Sequence, residues 1–229
     1  MKKRKKRIKG VQTKDNANQI KAVIFDVGGV LNLGNYSSVS IRRHRCLGIH
    51  NYISRKLNIS LDQWFDSIDS VYADAIEGKI SQAKTLSVIS KNLQISPKKL
   101  ERLLIQDYHK NFKKNKKLCS LAIKLKKQGY KIAILSDQWG PSRKALIEKK
   151  YLENFHPVII SCNVGIRKPN IKIYKLLLRK IKLKPPQCVF IDNQIWNLEP
   201  AKKLDIKTIL FKNNKQLIKE LNKLGVKVQ

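Results

Sequence analysis

The sequence predicts an α/β fold: a doubly wound, mostly parallel sheet with a helical segment inserted after the first strand. Two observations carry that reading. From Asn115 onward, short apolar runs alternate with amphipathic stretches of helical length, the pattern of βαβ units. Residues 35–110, by contrast, show helical periodicity and no clear strand. The 229 residues suffice for one core domain with a modest insertion.

The elements follow in order. "KAVIFDV" (21–27) is a short apolar run bounded by glycine, which suits a strand covered on both faces. In the inserted segment, "SLDQWFDSIDSVYADAIEG" begins at Ser60, a good N-cap, and stops at Gly78. Ser81 starts another helix, and "SPKKLERLLIQDYHK" places Ser96 at an N-cap with Pro97 at the first helical position. About four helices are expected there. "NKKLCSLAIKLKKQG" is an amphipathic helix closed by Gly129, followed by the strand "KIAILSD" (131–137). A helix from about Pro141 leads to the strand "HPVIIS", and one from Pro169 leads to "CVFID" (188–192). "NLEPAKKLD" is a helix before the strand "KTILF" (207–211), and a terminal helix follows. The domain expectation is a basic tail over 1–20, a core over 21–34 and 111–229, and a helical insertion over 35–110.

Composition narrows the function classes. Hydrophobic residues make up 42% of the chain, yet no run approaches the roughly 18 apolar residues of a membrane span. Cys46, Cys119, Cys162 and Cys188 lie far apart with no C-x-x-C pair, so free thiols in a reducing, cytoplasmic setting are expected. The formal charge is +33, and because residues 1–20 hold only eight basic residues and one acid, most of the excess is spread along the chain. Such a field favours non-specific, salt-dependent binding of polyanions. Only ten of the 49 basic residues are Arg, whereas base readout and bidentate phosphate clamps favour Arg. "MKKRKKRIKG" resembles a nuclear-localisation or nucleic-acid patch; a disordered basic tail is the plainer reading, and no apolar segment follows to make it a secretory signal.

Polar groups fall at the strand ends. Asp26 ends the first strand, Ser136 and Asp137 end "IAILSD", Asp192 and Asn193 end "CVFIDN", and Lys168 precedes Pro169. Together they would meet at the carboxyl edge of one sheet, where open α/β folds bind ligands. Taken singly, Asp26 or Asp192 could cap a turn, Ser136 could cap a helix, and Lys168 could be one solvated lysine among many.

Four segments in this order resemble the haloacid dehalogenase-like (HAD) superfamily, in particular its phosphatase-like members with a helical cap: "VIFDVGGVL", "AILSD", "GIRKP" and "VFIDNQIWNLEPAKKLDI". The resemblance spans roughly residues 21–213 and implies a Rossmann-like core, with 35–110 as the cap. It implies that Asp26 is the nucleophile forming an aspartyl-phosphate, with Ser136, Asp137 and Lys168 around the transferring phosphoryl group. It further implies Mg²⁺ held by Asp26, Asp192 and the backbone carbonyl of Gly28, an oxygen-only set that this ion favours. The implied substrate is a small phosphorylated metabolite.

The chain departs from the family pattern at two positions. Gly28 stands where the usual first motif has a second aspartate as general acid/base, and Asn193 stands for the second of two adjacent acids. The Gly28 carbonyl survives that change, but proton transfer loses its agent, so groups that leave well are the expected substrates. Pro200 replaces a common glycine and reads as structural. Two alternatives stay open: a catalytically degenerate protein that binds phosphorylated ligands or RNA, and a metal-free 2-haloacid dehalogenase. In the cap, Arg42, Arg43, His44, Arg45 and His50 form either a solvated basic face or a substrate contact, and Trp139 either packs in the core or stacks on a ligand.

Overall fold

The computed structural model describes residues 19–34 and 47–228. The N-terminal basic tail and the Arg42–Arg45 cluster lie outside the described residues. Strand β1 (Ala22–Phe25) is followed by the three-residue strand β2 (Asn32–Gly34). Helices α1 (Leu47–Leu57), α2 (Leu61–Ile76), α3 (Gln82–Asn92) and α4 (Pro97–Asn111) come next, then β3 (Phe112–Lys114). The core resumes with α5 (Lys116–Lys127), β4 (Lys131–Ser136), α6 (Gly140–Leu146), α7 (Lys149–Asn154), β5 (Val158–Ile160) and α8 (Ser161–Val164). It closes with α9 (Ile171–Ile181), β6 (Cys188–Asp192), α10 (Ile195–Lys202), β7 (Lys207–Leu210) and α11 (Asn214–Lys223).

The main sheet has the order β5-β4-β1-β6-β7, and every pairing in it is parallel. All four residues of β1 are buried, as a central strand covered on both faces requires. Alternate residues serve opposite faces. Val23, Phe25, Ile134 and Ile191 join the core that includes α5 and the α1–α4 segment, whereas Ile24, Leu135 and Phe190 pack with Ile173, Tyr174 and Leu177 of α9. Because successive strands wind outward in both directions from β1, the topological switch point lies at its carboxyl end. Asp26 stands there.

The helical cap is built by local signals. The side chains of Ser60, Ser81 and Ser96 each accept from a backbone N–H in the first turn of α2, α3 and α4, and Ser60 and Gln63 form a reciprocal capping box. The chain leaves and re-enters the core through β2 and β3, which pair antiparallel with Gly34 opposite Phe112. This two-stranded stem is not foreseen by the sequence reading, and α4 runs to Asn111 before it. Two expected helices differ in detail. The one from Pro141 is interrupted into α6 and α7, and the one from Pro169 starts at Ile171 with Asn170 as its cap. The Asn170 side chain accepts from Lys172 N at 3.0 Å, which leaves Lys168 and Pro169 in the loop before the helix. No helix among the described residues is long and apolar enough to cross a membrane.

Candidate functional site

Three adjacent strands deliver the polar groups. Asp26 follows β1, Ser136 ends β4, Asp192 ends β6, and all three are buried. Lys168 reaches in from the loop before α9, and its side chain is only 2% exposed. Its Nζ donates to Asp26 Oδ1 at 3.0 Å and to Asp192 Oδ2 at 2.7 Å. One ammonium thus bridges the carboxylates of two neighbouring strands. Asp137 works differently: its Oδ1 accepts the backbone N–H of Lys168 at 3.1 Å and so anchors the loop. Ser136 Oγ accepts from Gln138 Nε2 at 2.9 Å.

Electrostatics follow from this packing. Burial raises the Asp26 carboxyl most, Lys168 opposes the rise and Asp192 adds to it, so the group is pushed up to about 6. It is therefore mostly anionic at neutral pH. Burial works against the Lys168 charge, but Asp192, Asp26 and Asp137 overcome it and hold the ammonium above the ordinary lysine range. Burial also raises Asp137.

Several residues that sequence reasoning did not single out complete the floor. Asp192 Oδ1 accepts the Gln194 N–H at 2.8 Å, and Asn197 Nδ2 donates to Asp192 Oδ2 at 3.1 Å. Asn197 is itself fixed by Tyr174, whose hydroxyl donates to its carbonyl at 2.6 Å. Asn197 lies inside the quoted fourth segment, five residues past Asp192, and that position was the available signal. Gly29 has φ +85°, and a Cβ there would meet Asn193 Nδ2 at 2.3 Å, so the turn after Asp26 packs directly on Asn193.

The donor chemistry suits the implied Mg²⁺. Asp26, Asp137 and Asp192 act on a single buried lysine, which leaves an excess of negative charge, and the donors are hard oxygens. Among the described residues no three His, Cys, Asp or Glu side chains gather into a metal cluster. A site here would use two carboxylates and the Gly28 carbonyl.

Above this floor a cavity of about 440 Å³ opens toward the cap, bordered by Asp26, Gly28, Asp137, Lys168, Asn193 and Asn197 on the core side. Trp139 both packs and lines: it is buried, its Nε1 donates to Tyr108 Oη at 2.6 Å, and its ring meets Tyr72 edge-on. Of the cap's basic cluster only His50 is among the described residues. It lines the cavity, accepts from Trp64 Nε1 through Nδ1 at 2.7 Å, and is lowered by burial to about 4. A neutral imidazole stands there.

The comparisons agree with this architecture. Over 115 residues the chain is 36% identical to bifunctional epoxide hydrolase 2 of Mus musculus, covering 48% of this chain and 21% of that protein. It is 29% identical over 99 residues to glyceraldehyde 3-phosphate phosphatase of Pyrococcus furiosus, covering 41% of this chain and 40% of the relative. The chain thus spans well under half the length of these curated relatives. A HAD family enzyme of Bacteroides thetaiotaomicron superposes with a TM-score of 0.69 at 21% identity, covering 89% of this chain and 98% of that one. The same enzyme in complex with magnesium and inorganic phosphate superposes at 0.65 and 21% identity, covering 86% and 98%. The model for haloacid dehalogenase-like hydrolases matches residues 20–205, from the strand that precedes Asp26 through the one that ends at Asp192, and the chain belongs to that family.

Proposed function

We propose that the protein is a Mg²⁺-dependent phosphatase that hydrolyses a small phosphomonoester through a phosphorylated Asp26. The observation that carries the reading is the buried Asp26 carboxylate at the cavity floor, held against Lys168 and facing Asp192. The relative named as a glyceraldehyde 3-phosphate phosphatase and the fold neighbour crystallised with magnesium and phosphate support it.

In this reading an Asp26 oxygen attacks phosphorus, the bond to the leaving oxygen breaks, and the leaving group departs with a proton from water. Water then cleaves the acyl phosphate, releases inorganic phosphate and restores the carboxylate. Lys168 faces the phosphoryl oxygens, where most of the charge lies, and the Ser136 hydroxyl, buried beside Asp26, is the second group assigned to them. Asp137 positions Lys168 through its backbone N–H. Asp26, Asp192 and the Gly28 carbonyl would hold Mg²⁺. When bound, Mg²⁺ offsets the repulsion between the carboxylates and the phosphoryl oxygens. His50, neutral and engaged by Trp64, is a poor proton donor and does not replace the acid missing at Gly28.

Turnover of p-nitrophenyl phosphate with Mg²⁺ tests the class. Asp26→Asn should remove it while leaving the fold intact. Full activity in that folded variant, with deamidation excluded by mass, overturns the mechanism.

A further inference from the structure

All three tryptophans of the chain, Trp64, Trp139 and Trp196, border the one cavity above Asp26. Its cap-side wall is mostly rings and aliphatic carbon, with Trp64, Ile68 and Leu104 among the residues; its polar groups are the His50 imidazole and the hydroxyls of Tyr72 and Tyr108, and none of the described cap residues that line it is charged. The ring N–H groups are already committed: Trp64 Nε1 donates to His50 and Trp139 Nε1 to Tyr108. The charged groups bordering the cavity, Asp26, Asp137, Arg167 and Lys168, all lie on the core side. At the carboxyl edge of the sheet, Trp196 is 50% exposed and borders the same cavity.

A polyhydroxylated leaving group needs a hydrogen-bond partner for each hydroxyl it buries, and an unpaired one is costly. A flat apolar body needs only ring faces and excluded water. We propose that the substrate is a phosphomonoester of an aromatic, uncharged alcohol or phenol, its phosphate on the Asp26 floor and its ring in the tryptophan-lined chamber. The assignment of the phosphate rests on the phosphatase reading; that of the ring rests on the chamber alone. The volume, about 440 Å³, suits a phosphate with a small ring system.

Two arms test this. In the first, tryptophan fluorescence of the full chain with Mg²⁺ is titrated with phenethylphosphonate and with hydroxyethylphosphonate, neither of which is hydrolysed. Because all three tryptophans border the chamber, the signal reports occupancy. The aromatic phosphonate should bind on the order of 10²-fold tighter, the effect of burying one ring. Equal or tighter binding of the hydroxyethyl compound, or no saturable change with either, overturns the proposal. In the second, kcat/KM is compared for phenethyl phosphate and glycerol phosphate, both primary alkyl esters, so leaving-group reactivity does not favour the ring. A preference of about 10²-fold for phenethyl phosphate supports the assignment, and equal rates or a glycerol preference contradict it. Tight binding of phenethylphosphonate by a protein that hydrolyses no phosphomonoester would sink the phosphatase reading and leave the chamber's preference standing.

Discussion

At position 28 an added Cβ would meet only the Phe112 ring edge, at 4.0 Å, and the backbone is not left-handed there. Gly28 is therefore not required by packing, and a side chain can be restored. Gly28→Asp should fold normally and speed the hydrolysis of poor leaving groups by about 10²–10⁴-fold, the usual worth of a positioned acid. The check is the pre-steady-state burst across phosphomonoesters graded by leaving-group pKa: steep decline in the native protein, a flatter one in the variant. Identical slopes would show that another group already supplies the proton. Lys168→Ala should lower kcat/KM by on the order of 10²-fold or more, because the phosphoryl oxygens would lose the one buried ammonium that faces them beside two carboxylates; near-native kinetics would remove Lys168 from the mechanism. Asp26, Ser136, Asp137 and Asp192 were legible in the sequence because each ends or adjoins an apolar run that forms a strand, whereas Lys168, in the loop before α9, was legible only through the "GIRKP" resemblance. Gln138, Asn197 and the His50–Trp64 pair were not, since their roles arise only when separate elements meet.

Among the elements, α2 docks on the core at its carboxyl end. Gly78 has φ +69°, and a Cβ there would lie 2.0 Å from the Cys162 carbonyl oxygen, while Glu77 pairs with Arg167 at 3.3 Å. Gly78→Ala should cost at least about 1–3 kcal/mol from the backbone alone and loosen the cap from the core; an unchanged denaturation midpoint would contradict that. Helix α4 carries a buried carboxyl, Asp107, whose Oδ1 accepts from Asn111 and whose Oδ2 has no hydrogen-bond partner among the described residues. Burial is the main cause that pushes it up to about 8. A raised carboxyl means the folded chain keeps a proton that the unfolded chain releases, so stability is full below about pH 4 and falls as pH rises toward 8. Asp107→Asn should match the native Tm near pH 4 and exceed it by a few degrees near pH 8; a constant difference across that range would contradict the burial argument. Serine N-caps and closing glycines made the cap helices legible, because those signals are local. The stem of β2 and β3 was not: three-residue strands such as "NLG" and "FKK" carry too little periodicity to declare themselves, and they exist because they pair with each other.

Over the whole molecule, the alternation of strands and helices made the parallel sheet legible, and β1, buried on both faces between β4 and β6, is its centre. The excess of +33 is a property of the surface rather than of the site, whose buried groups are three carboxylates around one lysine. Binding to nucleic acid should therefore be indifferent to sequence and collapse as salt rises. Fluorescence polarisation with two unrelated duplexes checks this, and sequence-selective binding at physiological salt would contradict it. The fold, the charge and the cavity all leave the central claim to a single atom, the Asp26 oxygen that meets phosphorus. Its most direct test is an acid quench during turnover, followed by mass spectrometry of the peptide that carries Asp26. The account predicts one phosphoryl group on Asp26, labile at alkaline pH and absent from Asp26→Asn. Turnover with no phosphoryl group on that peptide, or with one on another residue, would contradict it.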